Sequence, residues 1–226
     1  MTGKFLTAVS FVSLLAGSVG FAAEIPDWRS WRGPLTSGSI EQGSYPDKFD
    51  AENYLWRTEL PGKGCSTPIL VNGLIYLTCA ADGNDALLNY NFDGKERWRT
   101  VFGKENAGKH RNGSGSNASP VTDGNAVFVY FKSGTFAAVE LDGTVRWKTD
   151  LVERFGKDTL FWDHGTSPVL TEKYVVMTRM HKGESWLAAF DKVSGEMVWK
   201  VARNYTTPVE CDHGYTTPLI IQHQGK

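Results

Sequence analysis

The chain has 226 residues, of which 41% are apolar, and it carries 24 Lys and Arg against 25 Asp and Glu. This length allows one domain with a large core, and the balanced charge excludes the basic footprint with which proteins bind nucleic acid or anionic membranes. The 24 glycines and an aromatic content of 12% favour short strands joined by turns over long helices.

The first residues have the pattern of an export signal. Lys4 is followed by an apolar run over residues 5–16, and Gly20-Phe21-Ala22 offers a small-x-small cleavage site. This run is short for a bilayer, which needs about twenty residues. We therefore expect a signal peptide at residues 1–22, cleaved near Ala22, and a lead-in segment at residues 23–50. The mature chain is expected to be periplasmic or secreted, without a membrane span or lipid anchor; an uncleaved anchor is the alternative.

Three cysteines follow, and exported chains can form disulfides. Cys65 and Cys79 flank an Asn72-Gly73 turn almost symmetrically, so in a hairpin they would lie within one residue of direct opposition. Two interpretations of this pair stay open: a cross-strand disulfide, or two buried thiols one register apart. Cys211 has no evident partner, and no cysteines have the spacing of metal ligands or of a haem-attachment motif.

Two short patterns recur along the rest of the chain with a common period. One is a small or hydroxyl residue before a proline, and the other is an isolated tryptophan. The prolines are Pro68, Pro120, Pro168 and Pro218, and the tryptophans are Trp56, Trp98, Trp147 and Trp199. Two independent series with one spacing predict a repeat architecture with units of about fifty residues.

Within each unit the pattern predicts four short antiparallel strands. In the second unit these are expected at residues 118–122, 126–131, 136–141 and 145–149, and in the third at 167–170, 174–180, 186–191 and 196–201. The run from Val127 to Phe131 is apolar at consecutive positions, so both faces of its sheet must be covered. Four-stranded sheets covered on both faces are typical of a β-propeller, in which each blade packs between two neighbours.

The predicted fold is therefore all-β, a β-propeller over residues 51–226. About three blades are complete, and parts of two more flank them, so the ring is expected to be incomplete. Residues 54–60 are predicted as an outer strand without preceding partners, and the fourth unit shows one strand that ends at Ile221. Unpaired edges at both ends would make these residues aggregate or misfold when they are expressed alone.

Two Asp-His pairs recur at nearly equivalent positions, each followed by a glycine. They are Asp163-His164 and Asp212-His213, and both precede an inner strand, where a propeller has its channel mouth. The two pairs could converge on one ligand, on a divalent metal or in a proton-transfer site. The alternative is shared ancestry, in which the histidine is a half-buried polar cap and the aspartate closes a turn.

The connection from Lys104 to Ser116 is a second candidate site. It combines Lys109, His110 and Arg111 with a Gly-Ser-Gly-Ser sequence, so it could receive an anion. Connections of this length are uncommon without a role, although a solvated link between blades is the alternative. The glycine spacing does not match a phosphate-binding motif between a strand and a helix.

The segment from Ala189 to Trp199 resembles the tryptophan-docking motif of the pyrrolo-quinoline quinone (PQQ) repeat propellers. The marked positions of that family are filled here by Ala189, Asp191, Ser194, Gly195 and Trp199. Weaker versions end at Trp147 and Trp98, and the Trp-Arg-Gly-Pro stretch at residues 31–34 is similar to the lead-in of secreted bacterial members. The resemblance implies a structural role, in which each indole packs on the neighbouring blade.

The resemblance implies one of two functions. The first is a non-catalytic extracytoplasmic scaffold with blades like those of the outer-membrane assembly factor BamB, which binds an unidentified protein or small-molecule ligand and uses no cofactor. A sugar- or peptide-binding sensor cannot be separated from it by sequence. The second is an oxidoreductase similar to the PQQ-dependent dehydrogenases, which hold PQQ over a disulfide of adjacent cysteines and a calcium ion. No two cysteines are adjacent here, and no catalytic residue or metal ligand is identified, so the scaffold is favoured over the enzyme.

Overall fold

Turn glycines and runs of apolar residues organise the chain into three antiparallel sheets of four strands each. The computed structural model describes residues 27–41, 43, 45–48, 50, 52, 54–208, 211–221 and 223–224. The predicted signal peptide lies outside these residues. Within them, no helix is long and apolar enough to cross a membrane.

Each sheet is one propeller blade, with its strands in sequence order from the inner to the outer edge. The first blade contains β1 (Ile69–Val71), β2 (Leu74–Ala81), β3 (Asn84–Asn91) and β4 (Glu96–Lys104). The second contains β5 (Val121–Thr122), β6 (Ala126–Tyr130), β7 (Thr135–Glu140) and β8 (Val145–Asp150). The third contains β9 (Val169–Leu170), β10 (Tyr174–Arg179), β11 (Trp186–Asp191) and β12 (Met197–Ala202). One short helix, α1 (Leu151–Phe155), follows β8. The predicted all-β propeller blades are confirmed.

Apolar side chains on both faces of β6 explain why the blades stack. Val127 and Val129 pack against the first blade, in a cluster with Tyr76 and Leu87. Phe128 and its neighbours on the opposite face pack against the third blade, with Val175, Met177 and Phe190 in the same cluster. Because consecutive residues of a strand point to opposite faces, a fully apolar strand must lie between two sheets.

The tryptophans dock on glycine turns of the following blade. The Nε1–H of Trp98 donates to the Leu141 carbonyl at 3.2 Å, and that of Trp147 donates to the Lys192 carbonyl at 3.0 Å. Gly195 has a φ of 74°, and a Cβ on it would lie 2.6 Å from the Trp147 ring. The turn therefore needs glycine both for its left-handed backbone and for the close approach of the indole.

Asp191 shapes the same turn in the third blade. Its Oδ1 accepts hydrogen bonds from the Val193 amide at 2.9 Å and the Ser194 amide at 2.8 Å. These two bonds lower the pKa of Asp191, because they stabilise the charged carboxylate. Trp199 ends this motif on β12, and this residue is more than one third exposed.

A ladder of hydroxyl groups joins the inner strands of successive blades. The Thr67 amide donates to Ser119 Oγ at 2.9 Å, and the Ser119 amide donates to Ser167 Oγ at the same distance. The Ser167 amide then donates to Thr217 Oγ1 at 3.0 Å. The hydroxyl residue before each of the last three repeated prolines thus accepts a backbone hydrogen bond from its counterpart in the preceding unit.

The two strands predicted at the flanks do not form, although the structure describes their residues. Residues 54–60 and 216–221 are irregular, because no strand in the described ranges lies beside them to complete a hydrogen-bonded ladder. They still occupy blade positions. The Trp56 ring packs on Gly94 of the first blade as Trp98 does on Gly143 of the second, and residues 62–64 lie against Thr78, Cys79 and Ala80.

The lead-in segment crosses one end of the inner strands. Trp28 exchanges backbone hydrogen bonds of 2.8 and 2.9 Å with Leu70 on β1, and the Arg29 carbonyl accepts from the Thr122 amide on β5 at 3.0 Å. The carboxylate of Asp27 accepts from the amide of Asn72, in the turn between β1 and β2, at 3.1 Å. This segment therefore links two blades at the end of the sheets that carries the β1–β2 turn.

Candidate ligand-binding face

The connections between blades gather at the other end of the sheets. Asn84 pairs with Lys104 and Thr135 with Asp150, so each outer strand ends beside the hairpin that joins the second and third strands of its blade. The Lys132 amide, in such a hairpin, donates to the Gly115 carbonyl at 2.9 Å. We name this end the loop face. It comprises residues 61–68, 105–120, 156–168, 203–208 and 211–217.

Asp163 ties two of these connections together. Its Oδ1 forms an ion pair of 2.7 Å with Lys132 Nζ, and its Oδ2 accepts from the Lys109 amide at 2.8 Å. The side chains of Lys132 and Asp163 are only 10% and 5% exposed. Lys132 Nζ also donates to the Ala107 carbonyl at 2.6 Å. Asp163 is thus used inside the protein, where it fixes the connection 105–120 against the connection 156–168.

His164 is buried beneath the loop face and is 4% exposed. Its ring lies 4.7 Å from the ring of Tyr130, measured between centroids. Burial lowers the pKa of His164 to about 4; the charges of Arg179 and His181 act in the same direction, whereas Asp158 and the Thr178 backbone oppose them. Neither ring nitrogen makes a hydrogen bond of normal geometry. The imidazole is therefore neutral at pH 7 and packs as part of the core.

The second Asp-His pair is more exposed than the first. His213 Nε2 lies 3.8 Å from Asp212 Oδ1, and both side chains are partly exposed. The neighbouring Gly214 amide donates to the Met180 carbonyl at 2.8 Å and so fixes the segment on the third blade. Within the described ranges, no three His, Cys, Asp or Glu side chains are grouped so that they could hold a metal ion. The two pairs therefore have different surroundings, because His164 is buried whereas Asp212 and His213 are partly exposed.

The three basic candidates lie at the surface of the loop face. Lys109 Nζ donates to the Leu160 carbonyl at 2.6 Å and contacts the Phe161 carbonyl at 3.4 Å. His110 Nδ1 accepts from the Asn112 amide at 3.1 Å. The Arg111 carbonyl accepts from Lys63 Nζ, while its own guanidinium is exposed and has no ion pair among the residues described.

Two aromatic residues of the loop face were not identified from the sequence. Phe161 is 67% exposed and Trp162 is 54% exposed. Their ring centroids are 4.8 Å apart at an interplanar angle of 88°, and the His110 ring meets Trp162 edge to face at 6.1 Å. The Trp162 amide donates to Tyr215 Oη at 3.1 Å. The sequence could have indicated this pair, because two adjacent large aromatic residues lie there in a connection between predicted strands.

A buried polar layer lies under this face and was also missed. Asp85 is 1% exposed, and burial raises the pKa of its carboxyl to about 7, although a hydrogen bond with Ser133 opposes the shift. The Arg179 guanidinium is fully buried and donates to the carbonyls of Leu151 at 3.0 Å and Gly156 at 2.7 Å. Arg179 therefore holds α1 and the turn after it against the third blade.

The cysteines are unbonded, so the disulfide interpretation of Cys65 and Cys79 is not supported. The segment before β1 does not continue the β1–β2 ladder: the Ala80 amide donates to the Lys63 carbonyl at 3.0 Å, and a Cβ on Gly64 would lie 2.7 Å from the Cβ of Cys79. Cys79 therefore lies against Gly64, while the Cys65 amide donates to the Ser116 carbonyl of the next unit at 3.3 Å. Cys79 is buried, which raises the pKa of its thiol to about 11, whereas Cys65 is exposed and its Sγ contacts the Asn112 carbonyl at 3.4 Å.

Two features that the resemblance associates with PQQ are not found among the described residues: a calcium site and a disulfide of adjacent cysteines. Calcium takes six to eight oxygen ligands in proteins, and the described ranges contain no group of three or more acidic, histidine or cysteine side chains placed to hold a metal ion. The quinone-supporting disulfide of adjacent cysteines has no counterpart either, because Cys65, Cys79 and Cys211 are distant in sequence and unbonded.

Comparison with known proteins agrees with the propeller geometry. In fold the chain is similar to the quinohemoprotein alcohol dehydrogenase from Comamonas testosteroni, with a TM-score of 0.54 and 17% identity over 78% of this chain and 27% of that one. It also matches a europium-containing methanol dehydrogenase, with a TM-score of 0.43 and 13% identity over 60% of this chain and 24% of that one. For BamB from Moraxella catarrhalis the TM-score is 0.38, with 13% identity over 65% of this chain and 51% of that one.

The chain thus spans about a quarter of the length of the two dehydrogenases and half that of the solved BamB. A search of curated proteins finds no match. Residues 48–215, which is most of the chain, match the family model described as outer membrane protein assembly factor BamB. The chain therefore belongs to the BamB family of PQQ-like repeat propellers.

Proposed function

We propose that the chain is part of a non-catalytic extracytoplasmic scaffold and that a partner docks on its loop face. The observation that carries this proposal is the contrast at Asp163. A buried ion pair with Lys132 fixes the connection 156–168, and the same connection presents Phe161 and Trp162 to solvent. Rigid exposed aromatic residues are the usual anchors of protein interfaces.

The fixed connection favours binding over a solvated link. An exposed aromatic pair is unfavourable in water, and ordering it in advance lowers the entropy cost of binding. The candidate acid–base groups are committed elsewhere: Asp163 is neutralised by Lys132, and the pKa of His164 is lowered by burial to about 4, so its ring stays neutral near pH 7. These side chains support the connections and leave the aromatic and basic surface as the contact region.

Export is supported by the pattern of the first 22 residues and by the family match. The mature amino terminus of the natural protein, isolated from its host and sequenced, would test it. Cleavage near Ala22 is the expected result, and a retained Met1 would contradict it.

Photo-crosslinking of the intact natural protein tests the binding site. A photoreactive phenylalanine analogue replaces Trp162, and a matched variant carries it at Trp31, which is also partly exposed but lies in the lead-in segment at the other end of the sheets. We expect a discrete crosslinked partner from position 162 and none from position 31. Equal crosslinking at both positions would contradict a loop-face site.

The oxidoreductase alternative has its own test. The intact protein is mixed with PQQ and calcium, separated from free quinone by gel filtration, and its absorption spectrum is recorded. A scaffold should retain no quinone. Stoichiometric retention would overturn the non-catalytic proposal and favour a dehydrogenase-like function.

A further inference from the structure

We infer that the partner presents an acidic peptide segment with an apolar side chain, and that it docks on one patch of the loop face. This inference rests on the proposed function and adds the chemistry of the partner. The patch, which we name the aromatic–basic patch, consists of Lys63, Lys109, His110, Arg111, Phe161 and Trp162.

Contacts across three segments make the patch continuous. Lys63 Nζ reaches the Arg111 carbonyl, His110 meets the Trp162 ring, and Lys109 Nζ lies 3.4 Å from the Phe161 carbonyl. The ion pair between Asp163 and Lys132 holds the supporting connections from below. Basic and aromatic groups from separate parts of the chain therefore form one surface.

The charge of the patch is positive and uncompensated. Lys63 and Lys109 donate to backbone carbonyls, which leaves their full charge in place, and the guanidinium of Arg111 has no ion pair among the residues described. Over residues 104–117, two Lys and one Arg oppose a single acid, Glu105. Asp163, which accepts from the Lys109 amide, is already paired with Lys132. A chain of net charge −1 thus carries a local basic surface that complements an acidic partner.

The shape of the aromatic pair favours a peptide over a sugar or a nucleobase. Sugars and bases stack on flat exposed ring faces. Phe161 and Trp162 instead meet at 88°, and the edge of His110 adds a third wall. This corner suits an apolar side chain inserted between rings, while the surrounding cations pair with carboxylates on either side.

Charge reversal in the intact natural protein tests the inference. The probe is a fluorescein-labelled peptide of repeating Glu-Glu-Leu, and its binding is followed by fluorescence anisotropy. Arg111→Glu replaces an attraction with a repulsion at an exposed position, so we expect about tenfold weaker binding. Arg97→Glu, on the exposed surface of β4, is the matched control and should leave binding unchanged. Binding should also weaken as salt is raised.

The possible outcomes separate this inference from the proposed function. If position 162 captures a partner by crosslinking but Arg111→Glu leaves peptide binding unchanged, the acidic-segment inference is wrong and the scaffold stands. If the protein binds polygalacturonate but not the peptide, the inference that the partner presents a peptide segment is wrong. If position 162 crosslinks no partner in the intact protein, the proposed function itself fails.

Discussion

Asp85 on β3 and His164 in the connection between the second and third blades are buried titratable side chains, and burial shifts their pKa values in opposite directions. The carboxyl of Asp85 has its pKa raised from 3.8 to about 7, and the imidazole of His164 has its pKa lowered from 6.5 to about 4. Both groups are therefore held in their neutral forms. Between about pH 4 and 7, Asp85 is protonated in the folded protein and deprotonated in the unfolded chain. His164 is unprotonated in the folded protein between about pH 4 and 6.5, whereas the unfolded chain binds a proton there.

Asp85→Asn should stabilise the protein at neutral and alkaline pH. The folded pKa is raised, so the stability contributed by Asp85 is lost as pH rises through 7, when a buried charge must form. The amide carries no such charge. We expect the unfolding free energy of the variant to be higher than that of the natural protein by on the order of 2 kcal/mol at pH 8, and the difference to vanish near pH 4. Urea unfolding at stepped pH measures it, with the exposed Asp93→Asn as control. A difference that is constant with pH would contradict the burial argument.

His164→Gln should make the protein less sensitive to acid. The folded pKa is depressed, so stability is fully present above the unfolded pKa of 6.5 and is lost as pH falls toward 4. The neutral amide does not titrate there, so the unfolding free energy of the variant should change less with pH over this window. His213→Gln, in the other Asp-His pair, serves as the comparison. If both substitutions flatten the pH profile equally, burial of His164 is not the cause.

At the level of strands and turns, the hydroxyl ladder can be tested by Ser167→Ala. The change leaves the buried Ser119 amide without its acceptor, which should cost about 1 to 3 kcal/mol in unfolding free energy. Ser167→Thr should retain most of the stability, because Thr67 and Thr217 fill the equivalent positions of other units. Chemical denaturation of the intact protein measures both variants. Equal losses in the two would show that packing, not the hydrogen bond, decides the position.

The docking of tryptophan on glycine can be separated from backbone strain by two matched alanine substitutions. Gly195 and Gly83 have φ values of 74° and 73°, but a Cβ on Gly195 would lie 2.6 Å from Trp147, whereas a Cβ on Gly83 would have no atom within 4 Å. Gly83→Ala should therefore cost about 1 kcal/mol from backbone strain alone. Gly195→Ala should cost about 2 kcal/mol more, because the indole must move.

Thermal denaturation, with Trp fluorescence as a second readout, compares the two variants. The fluorescence of Trp147 should shift in Gly195→Ala and stay unchanged in Gly83→Ala. Similar losses in both would mean that the turn conformation, and not the indole contact, fixes the glycine.

Strand positions in the second and third blades were predictable from the sequence because local chemistry determines them. The run at Ala126–Tyr130 is apolar throughout, and turn glycines separate it from its neighbours, so most expected bounds differ from the observed ones by a residue or two. The inner strand of the second blade is the exception, because it was expected from residue 118 and begins at Val121. The helix α1 was missed although Asp150 caps it and Gly156 follows it. Five residues are too few for a periodic apolar pattern to appear.

Residues 54–60 and the cysteine pair show what local pattern cannot supply. Trp56 was recognised as part of a blade, but a strand also needs a neighbour to pair with, and that is a property of distant residues. The near symmetry of Cys65 and Cys79 about their turn does not make them partners in a hairpin. Cys65 precedes β1 and its amide bonds to Ser116 of the next unit, whereas Gly64 lies against Cys79.

The candidate site was only partly predictable, for a related reason. The sequence indicated Asp163 and Lys109 as unusual, and the structure shows them bonded to each other through the Lys109 amide. Their contact depends on how two connections 54 residues apart are placed by the blades. Phe161 and Trp162 look like core residues in sequence, and only the position of their connection outside the sheets makes them exposed.

Over the whole molecule, stability comes from surfaces between blades more than from any one sheet. One hydrophobic cluster combines residues of the first and second blades, and another combines residues of the second and third. Removing a blade would therefore expose half of a core. The inner hydroxyl ladder and the outer tryptophans tie the same pairs of blades at the two edges of each sheet. The lead-in segment adds a third tie between the first and second blades through Trp28 and Arg29.

The dependence on neighbouring blades predicts how these 226 residues behave when they are expressed alone. Apolar side chains remain exposed beside the third blade, on β12 and on the segment that follows it: Val198, Trp199, Val201, Leu219, Ile220 and Ile221. An apolar surface of this kind, next to a blade that has no strand-paired neighbour among the described residues, is expected to associate with other copies. We therefore expect concentration-dependent oligomers in size-exclusion chromatography with light scattering.

Lysine substitutions identify the surface responsible. The double variant Val201→Lys and Ile221→Lys places charges on the exposed apolar surface beside the third blade, so it should shift the chain toward smaller species by disfavouring burial of that surface. Val101→Lys, at an exposed position on β4 of the first blade, is the matched control and should leave the distribution unchanged. A monomer that melts cooperatively without any substitution would show that three blades and their flanking segments form a self-sufficient core, because the exposed residues would then not need a neighbouring blade.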